Sequence, residues 1–327
     1  MTLLIWGIIL LTAIAVMISG AETFLKSAER IGLKLGFSSF VIGVVIVGFG
    51  TSLPELTSSL IAVFVNEPTI VLANAIGSNI ANILLIGGIL AVLGKSLKID
   101  RDLLTAELPF FVISTALFAV VVFDGKVEMV ESFLLVGTLL IYLFYLFSDE
   151  YSSGMVVEAV SEEVQHERFS IFHPFHHAIV KPLPLLLLGL VGLLVGAKYV
   201  VDSVVAIASI LSIPPGLVSL SAVALGTSLP ELVVSIKSLK DNKLSLALGN
   251  IFGSNAFNIL VAVGIPGLIT MLPLDEPTLK VGYPVLLAAS FILLVVGLAR
   301  KLYRWEGLMF FLLYIFFIFQ LIAYTIA

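Results

Sequence analysis

Residues 47–89 read VGFGTSLPELTSSLIAVFVNEPTIVLANAIGSNIANILLIGGI, and residues 223–265 read VALGTSLPELVVSIKSLKDNKLSLALGNIFGSNAFNILVAVGI. Laid on each other at a constant offset of 176, without a gap, they agree at 20 of 43 positions. Apolar composition alone scatters Leu, Ile and Val matches. It does not produce GTSLPEL twice, or N-x-x-GSN-x-x-NIL twice, at the same internal spacing. The chain is an internal duplication, and the rest of the sequence is placed around these two copies.

Around them the chain is oily. Of 327 residues, 60% are hydrophobic and 12% charged, against roughly 25% charged in typical soluble domains. The mean hydropathy is +1.18. A water-exposed surface does not tolerate so much apolar material, so the composition points to an integral membrane protein whose partner is the lipid bilayer. There is no cysteine, which excludes disulfide scaffolds, thiolate metal sites and cysteine nucleophiles. The net charge of −5 comes with no basic aromatic patch, so nucleic acid is not an expected partner. The opening MTLLIWGIIL carries no Lys or Arg before its apolar run and reads as a retained helix, not a signal peptide.

Apolar runs near the roughly 20 residues needed to cross a bilayer recur at about 3–22, 39–64, 70–93, 106–123, 129–148, 182–206, 216–238, 244–268, 282–299 and 306–325. Period-2 alternation is absent, which argues against a transmembrane barrel. The expected fold is an all-α membrane protein of ten transmembrane helices. They form two five-helix repeats, 1–148 and 182–327, joined by a linker at 149–181. Five is odd, so the second copy enters the membrane upside down relative to the first. Inverted repeats with interrupted helices near the midplane are the architecture of many secondary transporters.

Positive charge sets the orientation. Alternate loops hold 14 of the 17 Lys and Arg residues, among them Lys26, Arg30 and Lys34, and later Lys237, Lys240 and Lys243. The other side holds Lys126, Lys198 and Lys280. The expectation is a cell-membrane protein with the linker in the cytoplasm and both termini outside. Three histidines in the linker, His173, His176 and His177, are of a type that binds metal or senses pH. The preferred reading is a solvated linker beside the membrane.

Glu55 and Glu231 occupy equivalent places inside apolar helices. An acidic residue there costs about 2.5–3.5 kcal/mol on insertion scales, and no Lys or Arg falls in the middle of an expected span. A bound cation or a proton is the natural counter-charge. Thr51, Ser52 and Glu55 stand at i, i+1 and i+4, and Ser78 and Asn82 at i and i+4 on the next helix. Thr227, Ser228, Glu231, Ser254 and Asn258 repeat the pattern. All offer oxygen. Pro54 and Pro230 withhold a backbone donor and disturb the carbonyls of Gly50, Thr51, Gly226 and Thr227, which membrane depth tolerates where they line a polar cavity. Carboxylates, carbonyls and hydroxyls together can supply the six to eight oxygens at roughly 2.3–2.6 Å that Ca²⁺ prefers.

Other polar residues read more simply. Ser59, Ser235, Asn74, Asn250, Asn79 and Asn255 are expected to pack or cap helices, and Gly77, Gly253, Gly88 and Gly264 to let helices approach. Glu22, Glu107 and Asp202 sit near helix ends and are expected to reach water. No G-x-S-x-G, H-E-x-x-H, Walker or dinucleotide motif is present. Neither an enzyme nor a bound cofactor is expected.

GTSLPE followed 22 residues later by GSN-x-x-N, present twice, resembles the paired α-repeats of the calcium/cation antiporter superfamily, most of all its prokaryotic Na⁺/Ca²⁺ exchangers. The resemblance implies exchange of Ca²⁺ for Na⁺ by alternating access, in a single chain. It also implies ion binding at the midplane by Thr51, Ser52, Glu55, Ser78 and Asn82 with Thr227, Ser228, Glu231, Ser254 and Asn258. There is one departure. The family's second motif usually ends in Asp, where this chain has Asn258, so two carboxylates remain at the centre. A proton-coupled Ca²⁺ exchanger is the alternative reading, since two close carboxylates also hold protons. A passive cation channel is less favoured, because inverted duplication with broken helices does not gather symmetry around a pore axis.

Overall fold

A computed structural model describes residues 2–34, 47–64, 66–94, 96–98, 107–146, 182–210 and 223–326. In chain order its helices are α1 (Thr2–Lys34), α2 (Leu53–Phe64), α3 (Thr69–Gly94), α4 (Leu108–Val121), α5 (Met129–Leu146), α6 (Leu183–Ile210), α7 (Leu229–Lys240), α8 (Leu244–Leu260), α9 (Tyr283–Ala299) and α10 (Arg304–Ile326). Within α3, Ala81–Ile86 is π-helical. Four short strands, β1 (Ser96–Lys98), β2 (Lys126–Val127), β3 (Leu272–Pro273) and β4 (Lys301–Tyr303), pair antiparallel as β1 with β4 and β2 with β3.

Leu3–Gly32, Thr69–Gly94, Leu244–Gly267, Thr278–Ala299 and Arg304–Tyr324 are long and apolar enough to cross a membrane. Leu53–Phe64, Leu108–Asp124, Met129–Tyr145 and Leu183–Gly196 are shorter apolar helices. Phe123, Val130, Phe144 and Trp305 stand exposed on the outer surface, as side chains facing lipid do. This is an integral membrane protein.

Most expected spans coincide with helices to within a few residues, and three do not. The first was placed at 3–22, but α1 runs on to Lys34 and carries Lys26 and Arg30 with it. Tertiary contact is the cause: Phe24, Leu25 and Ala28 are buried, and Glu22 and Glu29 reach Lys237 and Lys243 across to the α7–α8 hairpin. The second, 39–64, is divided. A single helical turn, Phe49–Thr51, ends at Ser52 (φ −86°, ψ 4°), and α2 starts afresh with Pro54 in its first turn. Proline is at home there, where its missing N–H has no helical partner in any case. The third, 216–238, is divided in the same way in the second copy, with Ala224–Thr227, a break at Ser228 (φ −82°, ψ 1°) and Pro230 at the start of α7. The parts of these spans at 39–46 and 216–222, and the linker with His173, His176 and His177, lie outside the described residues.

The offset of 176 extends beyond the motifs. α2 and α7 begin and end at positions 176 apart. β3 is the counterpart of β1, and β4 that of β2, so the two small sheets are equivalent to each other.

The main core forms around α3 and α8, whose most apolar windows are 78% and 100% buried, against 22% for α10. Leu72, Ile76 and Ile80 of α3 are fully enclosed, and the ring of Phe252 on α8 meets Phe111 edge-on at 5.7 Å. The polar motif helices are therefore the most sheltered in the molecule. A second, smaller core joins α1 to α6, to α7 and to the first turn of α8 through Met17, Phe24, Leu193, Val234 and Leu246. α1 and α6 run antiparallel with backbones in contact, Gly20 against Gly189 and Gly192, and Met17 against Gly196.

Candidate cation site

The breaks at Ser52 and Ser228 put Glu55 and Glu231 in the first turns of α2 and α7, where the helix dipole favours negative charge. Neither glutamate has any exposed surface. Each is held from the other repeat: the Ser52 hydroxyl donates to Glu231 Oε1 at 3.0 Å, and the Ser228 hydroxyl donates to Glu55 Oε1 at 3.4 Å. The pattern continues outward in equivalent pairs. Thr51 donates to Asn250 Oδ1 at 3.1 Å, and Thr227 to Asn74 Oδ1 at 3.5 Å. Ser254 donates to the Gly48 carbonyl at 3.4 Å, and Ser78 to the Ala224 carbonyl at 3.3 Å. Every partner in this set maps onto another by the same offset of 176.

All ten residues expected from the sequence are buried, none more than 5% exposed. Eight of them, Thr51, Ser52, Glu55, Ser78, Thr227, Ser228, Glu231 and Ser254, form this cross-repeat network. Asn258 is bonded beside it, to Asn79. The Asn79 amide group donates to the Asn255 carbonyl at 3.0 Å, which leaves its Oδ1 to accept from Asn258 Nδ2 at 3.0 Å. Asn258 Oδ1 is left over. Asn82 makes no hydrogen bond through either amide atom.

What remains unsatisfied defines the chemistry. Glu55 Oε2, Glu231 Oε2, Asn82 Oδ1 and Asn258 Oδ1 are buried oxygens without a hydrogen-bond partner among the described residues, a costly state for any polar atom and more so for a carboxylate. The two carboxylates lie within coulombic reach of each other. Lys198, within α6, is bound to Asp202 at 2.6 Å. Among the described residues no group of three or more His, Cys, Asp or Glu comes together. Two acids surrounded by neutral oxygens suit a hard cation such as Ca²⁺ or Na⁺.

Two expectations change. Asn74, Asn79 and Asn250, read as packing residues, also hydrogen-bond directly to site residues. Asn250 additionally donates to Ser235 Oγ at 3.0 Å and to the Glu231 carbonyl at 3.3 Å. The signal available in the sequence was that Asn74 and Asn250 lie one helical turn before Ser78 and Ser254, on the same face. Glu107 does not reach water. It is fully buried just before α4, where the Tyr142 hydroxyl of α5 donates to its Oε1 and the Phe110 ring stacks on Tyr142. Nearness to a helix end does not reveal which face a residue takes, and this one turns inward. Glu22 and Asp202 are part-exposed, as expected.

The model of the family described as sodium/calcium exchanger protein matches residues 5–148 and again 181–323, two stretches that begin 176 apart. The chain belongs to the sodium/calcium exchanger family. This is a family of transporters, not of enzymes. The chain is 33% identical, over 349 aligned positions, to sodium/calcium exchanger MaX1 of Methanosarcina acetivorans, covering 95% of this chain and 97% of that one. It is 31% identical to inner membrane protein YrbG of Escherichia coli, covering 87% and 86%. The sodium-calcium exchanger NCX_Mj soaked with 10 mM Na⁺ and zero Ca²⁺ has a similar structure, with a TM-score of 0.78, 30% identity, and 96% of this chain and 98% of that chain covered.

Proposed function

We propose that this chain is a secondary antiporter that exchanges Ca²⁺ for Na⁺ by alternating access, with Glu55 and Glu231 binding the ions. The observation that carries the reading is the pair of fully buried glutamates, each with one unpaired oxygen and, among the described residues, no ion pair to a Lys or Arg. Thr51, Ser52, Ser78 and Asn82 with Thr227, Ser228, Ser254 and Asn258 supply the surrounding oxygens. An ion-free site carrying two buried negative charges is expensive to enclose. A loaded site is neutral with one Ca²⁺ or two Na⁺. The protein therefore changes sides readily only when loaded, which is the condition for exchange as opposed to leak.

The chain crosses the cell membrane ten times as two inverted five-helix repeats, with 149–181 and the lysine-rich ends in the cytoplasm and both termini outside. The antiparallel packing of α1 on α6 and the reciprocal hydrogen bonds between the motifs support the inversion. α1 and α6 are the moving part. They touch each other along their backbones, and they pack on the α7–α8 hairpin through the smaller apolar cluster and two ion pairs. A single chain contains both halves of the site, so a monomer suffices.

The test is uptake of radiolabelled Ca²⁺ into proteoliposomes. Vesicles loaded with Na⁺ and diluted into Na⁺-free medium are expected to accumulate Ca²⁺, and vesicles without internal Na⁺ are not. Uptake that needs no counter-ion would identify a channel. Uptake driven by a proton gradient and indifferent to Na⁺ would identify proton coupling.

A further inference from the structure

The α1–α6 pair meets the rest of the molecule differently at its two ends. Because the two helices are antiparallel, Glu22 and Glu29 of α1 lie at the opposite end from Lys198 and Asp202 of α6. At the first end two ion pairs cross from α1 to the α7–α8 hairpin. Lys243 engages both carboxylate oxygens of Glu29, and Lys237 lies 3.7 Å from Glu22. Lys26, 3.9 Å from Glu22, and Asp241, 3.9 Å from Lys237, complete the cluster. At the second end Lys198 and Asp202 pair within α6, and among the described residues no ion pair reaches α2. A cavity of about 490 Å³ opens there instead. Thr57 and Ser58 of α2 and Lys198 and Asp202 of α6 line it, and it extends to Thr227 of the cation site.

The repeat turns this difference into a property of the sequence. The counterparts of Glu22 and Lys237 are Lys198 and Ile61, and those of Glu29 and Lys243 are Val205 and Glu67. A state closed at the other end, related to this one by the repeat, would bring together Lys198 with Ile61 and Val205 with Glu67. Neither couple can form an ion pair. The two closed ends are not energetically equivalent.

We propose that the Glu29–Lys243 and Glu22–Lys237 pairs latch the cytoplasmic end shut and make the outward-open state the resting state, so that these four residues set which side the cation site faces. This rests on the exchanger reading and its orientation. An ion arriving at the less populated face binds with an apparent affinity reduced by the fraction of molecules open to it. The latch therefore favours external ions and penalises cytoplasmic ones.

The chain contains no cysteine, so single reporters need no altered background. Ser58→Cys lines the open cavity. Val234→Cys, at the equivalent position, is buried against α1 at the latched end. In proteoliposomes with the same saturating Na⁺ on both sides, where the loaded protein exchanges between its two states, a membrane-impermeant maleimide should label Ser58→Cys quickly from outside and Val234→Cys slowly from the cytoplasmic face. Adding Glu29→Gln or Glu22→Gln should slow the first and speed the second, by about two- to fivefold for each ion pair broken. Exchanging the charges, with Glu29→Lys and Lys243→Glu together, should restore the original rates. Rates unmoved by Glu29→Gln and Glu22→Gln, or moved but not restored by the exchange, would overturn the latch. Labelling needs no transport, so absence of Na⁺-driven Ca²⁺ uptake would defeat the functional reading while leaving this result legible.

Discussion

Glu55, Glu231 and Glu107 are all fully buried, and what surrounds them assigns different roles. The first two sit among hydroxyls and amides from both repeats, while Glu107 has one tyrosine hydroxyl and an aromatic wall. Glu55→Gln and Glu231→Gln are each expected to abolish Ca²⁺ uptake without loss of folded protein, since removing a buried charge relieves an insertion cost of about 2.5–3.5 kcal/mol. Normal flux in either variant, measured in proteoliposomes, would remove that glutamate from the site. For Glu107 the expectation is structural. Tyr142→Phe takes away its hydrogen bond and should lower stability by about 1–3 kcal/mol, read by thermal unfolding in detergent, with Ca²⁺ affinity unchanged. An unchanged unfolding temperature would show that the hydroxyl does not support the acid. The sequence distinguishes these glutamates in part. Repetition singles out Glu55 and Glu231, but nothing in the residues around Glu107 says that it turns toward α5.

Among the elements, the broken helices are the most legible and the lengths the least. Pro54 and Pro230 announce the restart of α2 and α7, because a proline that cannot sit in a helix interior is well placed in a first turn. The extension of α1 to Lys34 depends on partners some 200 residues away, which local composition does not report. The same limit applies to the site. An offset of 176 says which residues are equivalent, not that Ser52 meets Glu231 instead of its own Glu55. The contact of α1 with α6 is also invisible until both helices are seen, and it rests on glycine. A Cβ on Gly189 would fall 2.4 Å from the Phe24 nitrogen and 2.7 Å from its Cα. These are backbone atoms, so a methyl group there must push the helices apart. Gly189→Ala is expected to cost about 1–3 kcal/mol and to slow exchange. Gly7→Ala, where nothing lies within 4 Å, should change stability by no more than about 0.5 kcal/mol. Equal unfolding temperatures for the two variants would show that α1 and α6 are not held by this contact.

For the molecule as a whole, the proposed site ties the number of charges at the centre to the expected response of transport to voltage. In the proposed site Glu55 and Glu231 are the acids found among the described residues, and one Ca²⁺ or two Na⁺ would leave it neutral. A third Na⁺ would leave a positive charge in a low-dielectric interior, where an unpaired charge is costly. Asn258 is held in its neutral role by the hydrogen-bond chain. Asn79 must present its oxygen, because its amide group is committed to the Asn255 carbonyl, and Asn258 therefore donates. An ionised carboxylate at this position has no proton to donate; it would break that bond and add the third negative charge that a third Na⁺ needs. Two Na⁺ per Ca²⁺ is thus the expected stoichiometry, with little net charge moved per cycle. Asn258→Asp should steepen the Na⁺ dependence and increase the charge moved per Ca²⁺. The measurement is the membrane potential at which net Ca²⁺ flux reverses, in proteoliposomes with fixed Na⁺ and Ca²⁺ gradients. The parent protein should show a gradient requirement nearly independent of voltage, and the variant a reversal that shifts with it. A parent protein already reversing at three Na⁺ per Ca²⁺, unchanged by the substitution, would mean that water or the membrane field compensates the third ion and that the two glutamates do not set the count.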